Sequence, residues 1–486
     1  MNMKKTLFGG LLLLSMSLGF SSPTNAQVYV FDDSLLPDVG ASNQTVDIQA
    51  VDLDADGDLD LILANEFQVN SVLLNDGTGF FLNGSGILPP IIHDTDDLVI
   101  ADFDQDGDPD VILVSEDNFG HEYYVNQGNL SFTSGEILPF SKGTAVIAED
   151  LNGDQFPDLL IGNLYSQNII MMNDGLGNFI NETPERFPEF NDGTYDLRLF
   201  DADGDEDLDL FVANQDGNKL LVNDGEGFFM DETASRLPQG IEMDTRKVSV
   251  GDVDDDGDLD LFLANVEFTL GSNPQNRIYQ NDGSGVFTDV TSTHFPTLND
   301  QTTEGVFYDF DEDGDLDLLL SNVLHNPLLI YRNDGTGTFT DSTDDLLGGQ
   351  DFSLDSWGLV VEDFNGDNFG DIYICNRTGK DALLIGDKEA LLSSTNAPDL
   401  ATRIAVYPQP ASDQVTIDLS ALGQTVEPPL FSLYNLAGQK VDHLIPTQRA
   451  SGSYHFDLKS QEGQQFYFVH ITLTDYTMVK KLLIQR

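Results

Sequence analysis

The chain has 486 residues, with 21 Lys and Arg against 84 Asp and Glu, a formal net charge of −63. That balance repels nucleic acid and anionic membranes and attracts cations. An apolar content of 40%, with 32 Phe and 14 Tyr, excludes a disordered acidic chain and supplies a sizeable core.

In chain order, the first element is a targeting segment. Lys4 and Lys5 precede the mostly apolar stretch 7–20, and Thr24-Asn25-Ala26 offers small residues before a cut after Ala26. This pattern predicts a secretory signal peptide over residues 1–26, since the apolar run is short of the ~20 residues that a membrane span needs. Cys375, in DIYICN, is the only cysteine, so an intrachain disulfide is excluded and the thiol is expected to pack in a core.

Seven copies of one acidic loop follow. They begin at Asp52 (DLDADGDLD), Asp102 (DFDQDGDPD), Asp150 (DLNGDQFPD), Asp201 (DADGDEDLD), Asp252 (DVDDDGDLD), Asp309 (DFDEDGDLD) and Asp363 (DFNGDNFGD), spaced 48 to 57 residues apart. Around each loop the order repeats. An apolar run leads in, and a second run ends at Asn65, Ser115, Asn163, Asn214, Asn265, Asn322 or Asn376. A third run ends mostly in Asn-Asp-Gly, as in LLVNDG at 220–225, and a fourth follows, as in FTDVT at 287–291. Short β-branched and aromatic runs between turn signals read as strands, and four per repeat describe a propeller blade. The last repeat has no fourth run, but Phe31-Asp32-Asp33-Ser34 matches its pattern, so the N-terminal strand is expected to complete the seventh blade.

Oxygen donors at alternate loop positions, then a glycine, then a late carboxylate, suit a hard cation such as calcium, which takes roughly six to eight oxygens. Positions one, three, five and nine would give side-chain oxygens and position seven a carbonyl. The predicted ligands are Asp52, Asp54, Asp56 and Asp60 in loop 1, and Asp102, Asp104, Asp106 and Asp110 in loop 2. Loop 3 offers Asp150, Asn152, Asp154 and Asp158, and loop 4 Asp201, Asp203, Asp205 and Asp209. Loop 5 offers Asp252, Asp254, Asp256 and Asp260, loop 6 Asp309, Asp311, Asp313 and Asp317, and loop 7 Asp363, Asn365, Asp367 and Asp371. Loops 3, 4 and 7 lack glycine at position six, having Gln155, Glu206 and Asn368, and are expected to be weaker or distorted. Up to seven Ca2+ ions would neutralise the carboxylates and staple an exported chain that has no disulfide.

These DxDxDGxxD loops, with DLFVAN-like and NDGxGxF-like segments, resemble the FG-GAP/VCBS repeats that also build the integrin α-subunit head. The resemblance covers about residues 27–390. It implies an all-β fold, a seven-bladed β-propeller over residues 27–392 with calcium between the first two strands of each blade.

Near residue 400 the charge changes. Residues 27–400 hold 12 basic and 77 acidic side chains, residues 401–486 seven of each, with a linker expected at 393–400. Alternating strands such as QVTIDLS and QQFYFVHITL predict a small β-sandwich over 401–486. VYPQPASDQVTIDL, YNLAGQKV and the terminal KKLLIQR resemble the C-terminal sorting domain of the bacterial type IX secretion system, with Gln409 where that family usually has Asn. The resemblance implies the type IX machinery as a partner, export across the outer membrane, and a secreted or cell-surface protein.

No HExxH, GxSxG or phosphate-cradling glycine loop is present, and the seven His are scattered, so a non-catalytic binding protein is expected. Its ligand would be an extracellular polysaccharide or protein. A polysaccharide-degrading enzyme and a passive surface scaffold are the alternatives. Seven residues before each loop stand Thr45, Thr95, Gly143, Thr194, Thr245, Thr302 and Ser356, expected to ring the channel mouth on the face opposite the loops. Among the residues that follow them, Tyr195, Arg246 and Trp357 are the expected ligand contacts, by stacking on a sugar or gripping an acidic group.

Overall fold

The computed structural model describes residues 28–393, apart from 38–43, 118, 119, 242, 269, 270 and 351, together with eight strands between residues 405 and 484. The expected signal peptide and most of the expected linker lie outside the described residues.

Each of the first six repeats folds into four antiparallel strands, and the seventh into three. In blade 5, Thr245–Gly251 pairs with Asp260–Asn265, which pairs with Arg277–Asn281, which pairs with Phe287–Asp289. The second strand, DLFLAN, is buried at every residue, because its sheet is covered on both faces by neighbouring blades. The fourth strand is only three residues long. The threonine of the pattern FTDVT leaves the sheet and opens the one-turn helix Thr291–His294, its Oγ1 accepting the Ile278 N–H at 3.0 Å. Among the described residues, strand pairing gives seven such four-stranded units. Blades 1 and 2 are additionally fused. Asp60–Val69 and Ile92–Ala101 extend beyond their own sheets and pair through Glu66–Asp94 and Val69–Ile92.

The ring closes with the N-terminal strand. Tyr29–Phe31 pairs antiparallel with Ala382–Gly386 and is the outermost strand of blade 7. Tyr29 is fully buried, its ring 5.9 Å from Phe310 and 5.8 Å from Phe369. The result is a β-propeller whose last blade is completed by the N-terminal strand.

The hydroxyls expected at the channel mouth lie elsewhere. Thr45, Thr95, Thr194, Thr245 and Thr302 are completely buried. Thr245 Oγ1 donates to Asn265 Oδ1 in its own blade at 2.8 Å and accepts from Asn218 Nδ2 of the preceding blade at 2.9 Å. Asn70 to Thr95, Asn168 to Thr194 and Asn276 to Thr302 repeat that inter-blade bond, and Thr45 donates to Asp381 across the closing seam at 3.0 Å. The repeated threonine is thus a latch between blades, because a hydroxyl both donates and accepts. Two residues further along the first strands, Asp47, Asp97 and Asp196 surround the Lys247 ammonium at 2.9, 4.0 and 3.9 Å, which fills the ring axis with a charge cluster.

The C-terminal strands form two four-stranded antiparallel sheets. Phe431 of one sheet meets Tyr454 and Phe456 of the other at 5.0 and 4.8 Å between ring centroids, the core of a β-sandwich.

Because Tyr29 anchors the closing strand, Tyr29→Ala is expected to destabilise the propeller by about 3–5 kcal/mol. Its urea midpoint should fall with little change in slope, whereas an unchanged midpoint would mean that the closing strand adds nothing.

Candidate functional site

The seven acidic loops join first to second strands at one end of the blades. Each is built on its position-one carboxylate, which accepts N–H groups from positions five and six. Asp252 takes them from Asp256 at 3.2 Å and Gly257 at 3.0 Å. Two residues of each loop have positive φ. In loops 1, 2, 5 and 6 these are Ala55, Gln105, Asp255 or Glu312 at position four and a glycine at position six. In loops 3, 4 and 7 the glycine stands at position four instead, as Gly153, Gly204 and Gly366, while Gln155, Glu206 and Asn368 take φ of 74°, 73° and 62°. These three loops are therefore not distorted. Their glycine has moved two residues, and its N–H adds a third bond to position one, at 2.8 Å in loop 3, 2.7 Å in loop 4 and 2.8 Å in loop 7.

Position nine is the buried anchor. One oxygen of Asp260 accepts the N–H of Val253, at position two of its loop, at 3.1 Å. The other accepts the N–H of Asn281, at the end of the third strand, at 2.9 Å. Asp60, Asp110, Asp158, Asp209, Asp317 and Asp371 are held in the same way. Burial, partly offset by these donors, raises the carboxyl pKa of Asp60 and Asp209 to about 6. It raises Asp110, Asp158, Asp260 and Asp371 to about 7 and Asp317 to about 8.

Three carboxylates converge within 4.8 Å of one another in five loops. Positions one, three and nine do so in loops 1, 2, 5 and 6, and Asp201, Asp203 and Asp205 in loop 4. In loops 3 and 7, Asn152 and Asn365 bring an amide oxygen to position three. The donor set fits a hard cation, being all oxygen. The position-three oxygen Asp254 Oδ1 is also buried with no hydrogen-bond partner, which is costly for a carboxylate unless a cation meets it, whereas the Asp203 carboxylate already meets Arg236 at 2.9 Å through its other oxygen. The position-five carboxylates Asp56, Asp106, Asp256 and Asp313 instead accept the N–H of position seven at 3.0–3.1 Å.

On the opposite face the structure brings Tyr195, Arg246 and Trp357 into one strip. The Arg246 guanidinium lies 3.6 Å from the Tyr195 ring centroid and 4.9 Å from that of Phe268. Phe268 is 6.0 Å from Trp357, over which Arg377 lies at 4.6 Å. Arg246 pairs with Asp244 at 3.1 Å and Arg377 with Glu66 at 2.6 Å. Arg246 Nε and Trp357 Nε1 are buried donors without a hydrogen-bond partner. Phe268 and Arg377 escaped the sequence reading. Phe268 lies in the longest second-to-third connection, 266–276, which singles it out in retrospect, while Arg377 stands at no repeated position.

For the metal-free protein, the raised pKa values at position nine set a pH dependence. Each folded pKa exceeds the unfolded value of about 3.8, so the folded state binds more protons between the two. Stability is fully present below about pH 4 and is lost as pH rises through about 6–8. Chelator-treated protein should therefore melt higher at pH 5 than at pH 8, and the opposite order would contradict the burial of these carboxyls.

Two family models match the chain. The model of the FG-GAP-like repeat matches residues 52–113, 102–161, 150–212, 201–263, 265–320 and 309–374, and that of the secretion system C-terminal sorting domain matches 405–485. No curated protein matches the chain. Among solved structures, an Agrocybe aegerita lectin, described as recognising non-reducing terminal N-acetylglucosamine, is 17% identical with a TM-score of 0.40, over 73% of this chain and 87% of that one. BBS1N, solved in complex with ARL6DN, is 11% identical with a TM-score of 0.49, over 74% of this chain and 98% of its own. The sorting domain implies engagement of the type IX secretion machinery and export, to the medium or to the cell surface. On the span of its repeats, the chain belongs to the FG-GAP-like repeat family and carries a secretion system C-terminal sorting domain.

Proposed function

We propose that this protein is an exported, calcium-stabilised β-propeller that binds an extracellular polysaccharide or protein on the face opposite its acidic loops, without catalysis. The carrying observation is the strip from Tyr195 through Arg246 and Phe268 to Trp357, with two buried donors lacking partners. Aromatic rings and donors of this kind suit a ligand with an apolar face and acceptor oxygens. Calcium is the ion of choice for seven all-oxygen loops, and each loop then holds its two strands together through the ion.

Two outcomes test this reading. Chelation should lower the melting temperature of the full chain, and readdition of calcium should restore it, since each site filled at a hundredfold excess over Kd adds about 2.7 kcal/mol. An unchanged melting temperature overturns the metal assignment. Against a panel of insoluble extracellular polysaccharides and surface proteins, the full chain in calcium should show saturable retention that Trp357→Ala and Arg246→Ala abolish. Release of soluble oligosaccharide would overturn the non-catalytic reading, and the absence of retention would favour a scaffold.

A further inference from the structure

The seam between blades 2 and 3 departs from the asparagine–threonine latch found at four other seams of the ring. Gly143 replaces the threonine, His121 stands where Asn70, Asn168, Asn218 and Asn276 stand in their blades, and Ser115 replaces the asparagine that ends the second strand. His121 Nδ1 accepts the Ser115 N–H at 3.2 Å, and its Nε2 is hydrogen-bonded to Ser141 Oγ at 2.8 Å. A Cβ on residue 143 would lie 2.7 Å from the imidazole, so glycine makes room for this histidine.

Over this seam lies a groove of about 460 Å³. Phe140, Ser141 and Lys142 line it from the connection into blade 3, and Leu164, Tyr165 and Ser166 from the second-to-third connection of that blade. The two rings stand in solvent, Phe140 71% and Tyr165 56% exposed. Both are held there. Phe140 rests on Gly120, where a Cβ would come within 2.9 Å of the ring, and Tyr165 passes Gly193, where a Cβ would come within 3.2 Å. Tyr165 has φ of 55°, a strained conformation for a bulky residue, fixed by its N–H to Asp192 O at 2.9 Å and its hydroxyl to Gln215. Lys142 is exposed and has no ion-pair partner among the described residues, in a chain with four acidic residues for each basic one.

We propose that this groove binds an anionic saccharide. The rings of Phe140 and Tyr165 would face the apolar sides of a sugar, Ser141 and Ser166 would exchange hydrogen bonds with its hydroxyls, and the Lys142 ammonium would meet a carboxylate or sulfate. The acidic loops do not forbid this. They lie at the other end of six-residue strands, roughly 20 Å away. That is more than two Debye lengths at physiological salt, about 8 Å each. The site shares a face with the Tyr195–Trp357 strip but none of its residues, so either can stand without the other.

The test is binding of the full chain, in calcium, to an array of uronate- and sulfate-bearing oligosaccharides beside neutral ones. Binding to anionic members is expected, weakening at high salt and by about tenfold or more in Lys142→Gln. It should also weaken in Tyr165→Ala and be kept in Lys142→Arg. Preference for uronates over sulfates, or the reverse, would name the anion. Binding confined to neutral glycans, no binding to any member, or undiminished binding by Lys142→Gln at an unchanged melting temperature would overturn the proposal. Loss in Trp357→Ala alone would leave the strip as the ligand site and remove this groove.

Discussion

The architecture depends on burying a carboxylate at position nine of every loop. Both oxygens of Asp260 sit on backbone N–H groups, one from its loop and one from the end of the third strand, so a single side chain fixes loop and sheet together. Burying an ionised carboxylate is costly unless it is hydrogen-bonded and its charge is met. The N–H groups supply the first condition. Two further carboxylates per loop make the second harder, so the cation proposed for these loops would link its own affinity to fold stability.

From these anchors, coupling spreads to the neighbouring blades. The asparagine that ends a third strand gives its backbone N–H to position nine of its own loop and its side-chain amide to the preceding loop. Asn281 donates to Ala202 O at 2.8 Å, Asn333 to Val253 O at 2.7 Å, and Asn75 to Phe364 O at 2.8 Å across the closing seam. At the other end of the blades, the threonine latches do the same work with hydroxyls. Both ends of the ring are therefore braced by repeated side chains. The connections between braces carry no such duty, and it is there that Phe268, Tyr165 and Phe140 stand exposed.

The repeats also show how a loop keeps its shape while its sequence changes. A turn with two left-handed residues needs one glycine to relieve it, and that glycine can serve at position four or six. Gly153 and Gly257 do the same conformational task two positions apart, and the backbone hydrogen bonds to the first aspartate survive the exchange.

Much of this was legible in the chain itself. Short β-branched and aromatic runs between turn signals named four strands per repeat, and the spacing of aspartates named the loops, because both patterns are local and recur along the chain. Even ring closure was written in Phe31-Asp32-Asp33-Ser34, since a strand that completes a blade must look like the fourth strand it replaces. What the sequence could not decide was direction and distance. The repeated threonine reads equally as a ligand hydroxyl or a buried latch until the next blade is seen beside it. Loop 3 reads as defective until the left-handed φ of Gln155 shows that the glycine has only moved. Tyr195, Arg246 and Trp357 are separated by 51 and 111 residues, and only the closure of seven sheets around one axis, with Phe268 from a long connection between them, sets them in contact. Local pattern determines strands and loops, whereas side chains from different blades meet only through packing of the whole ring.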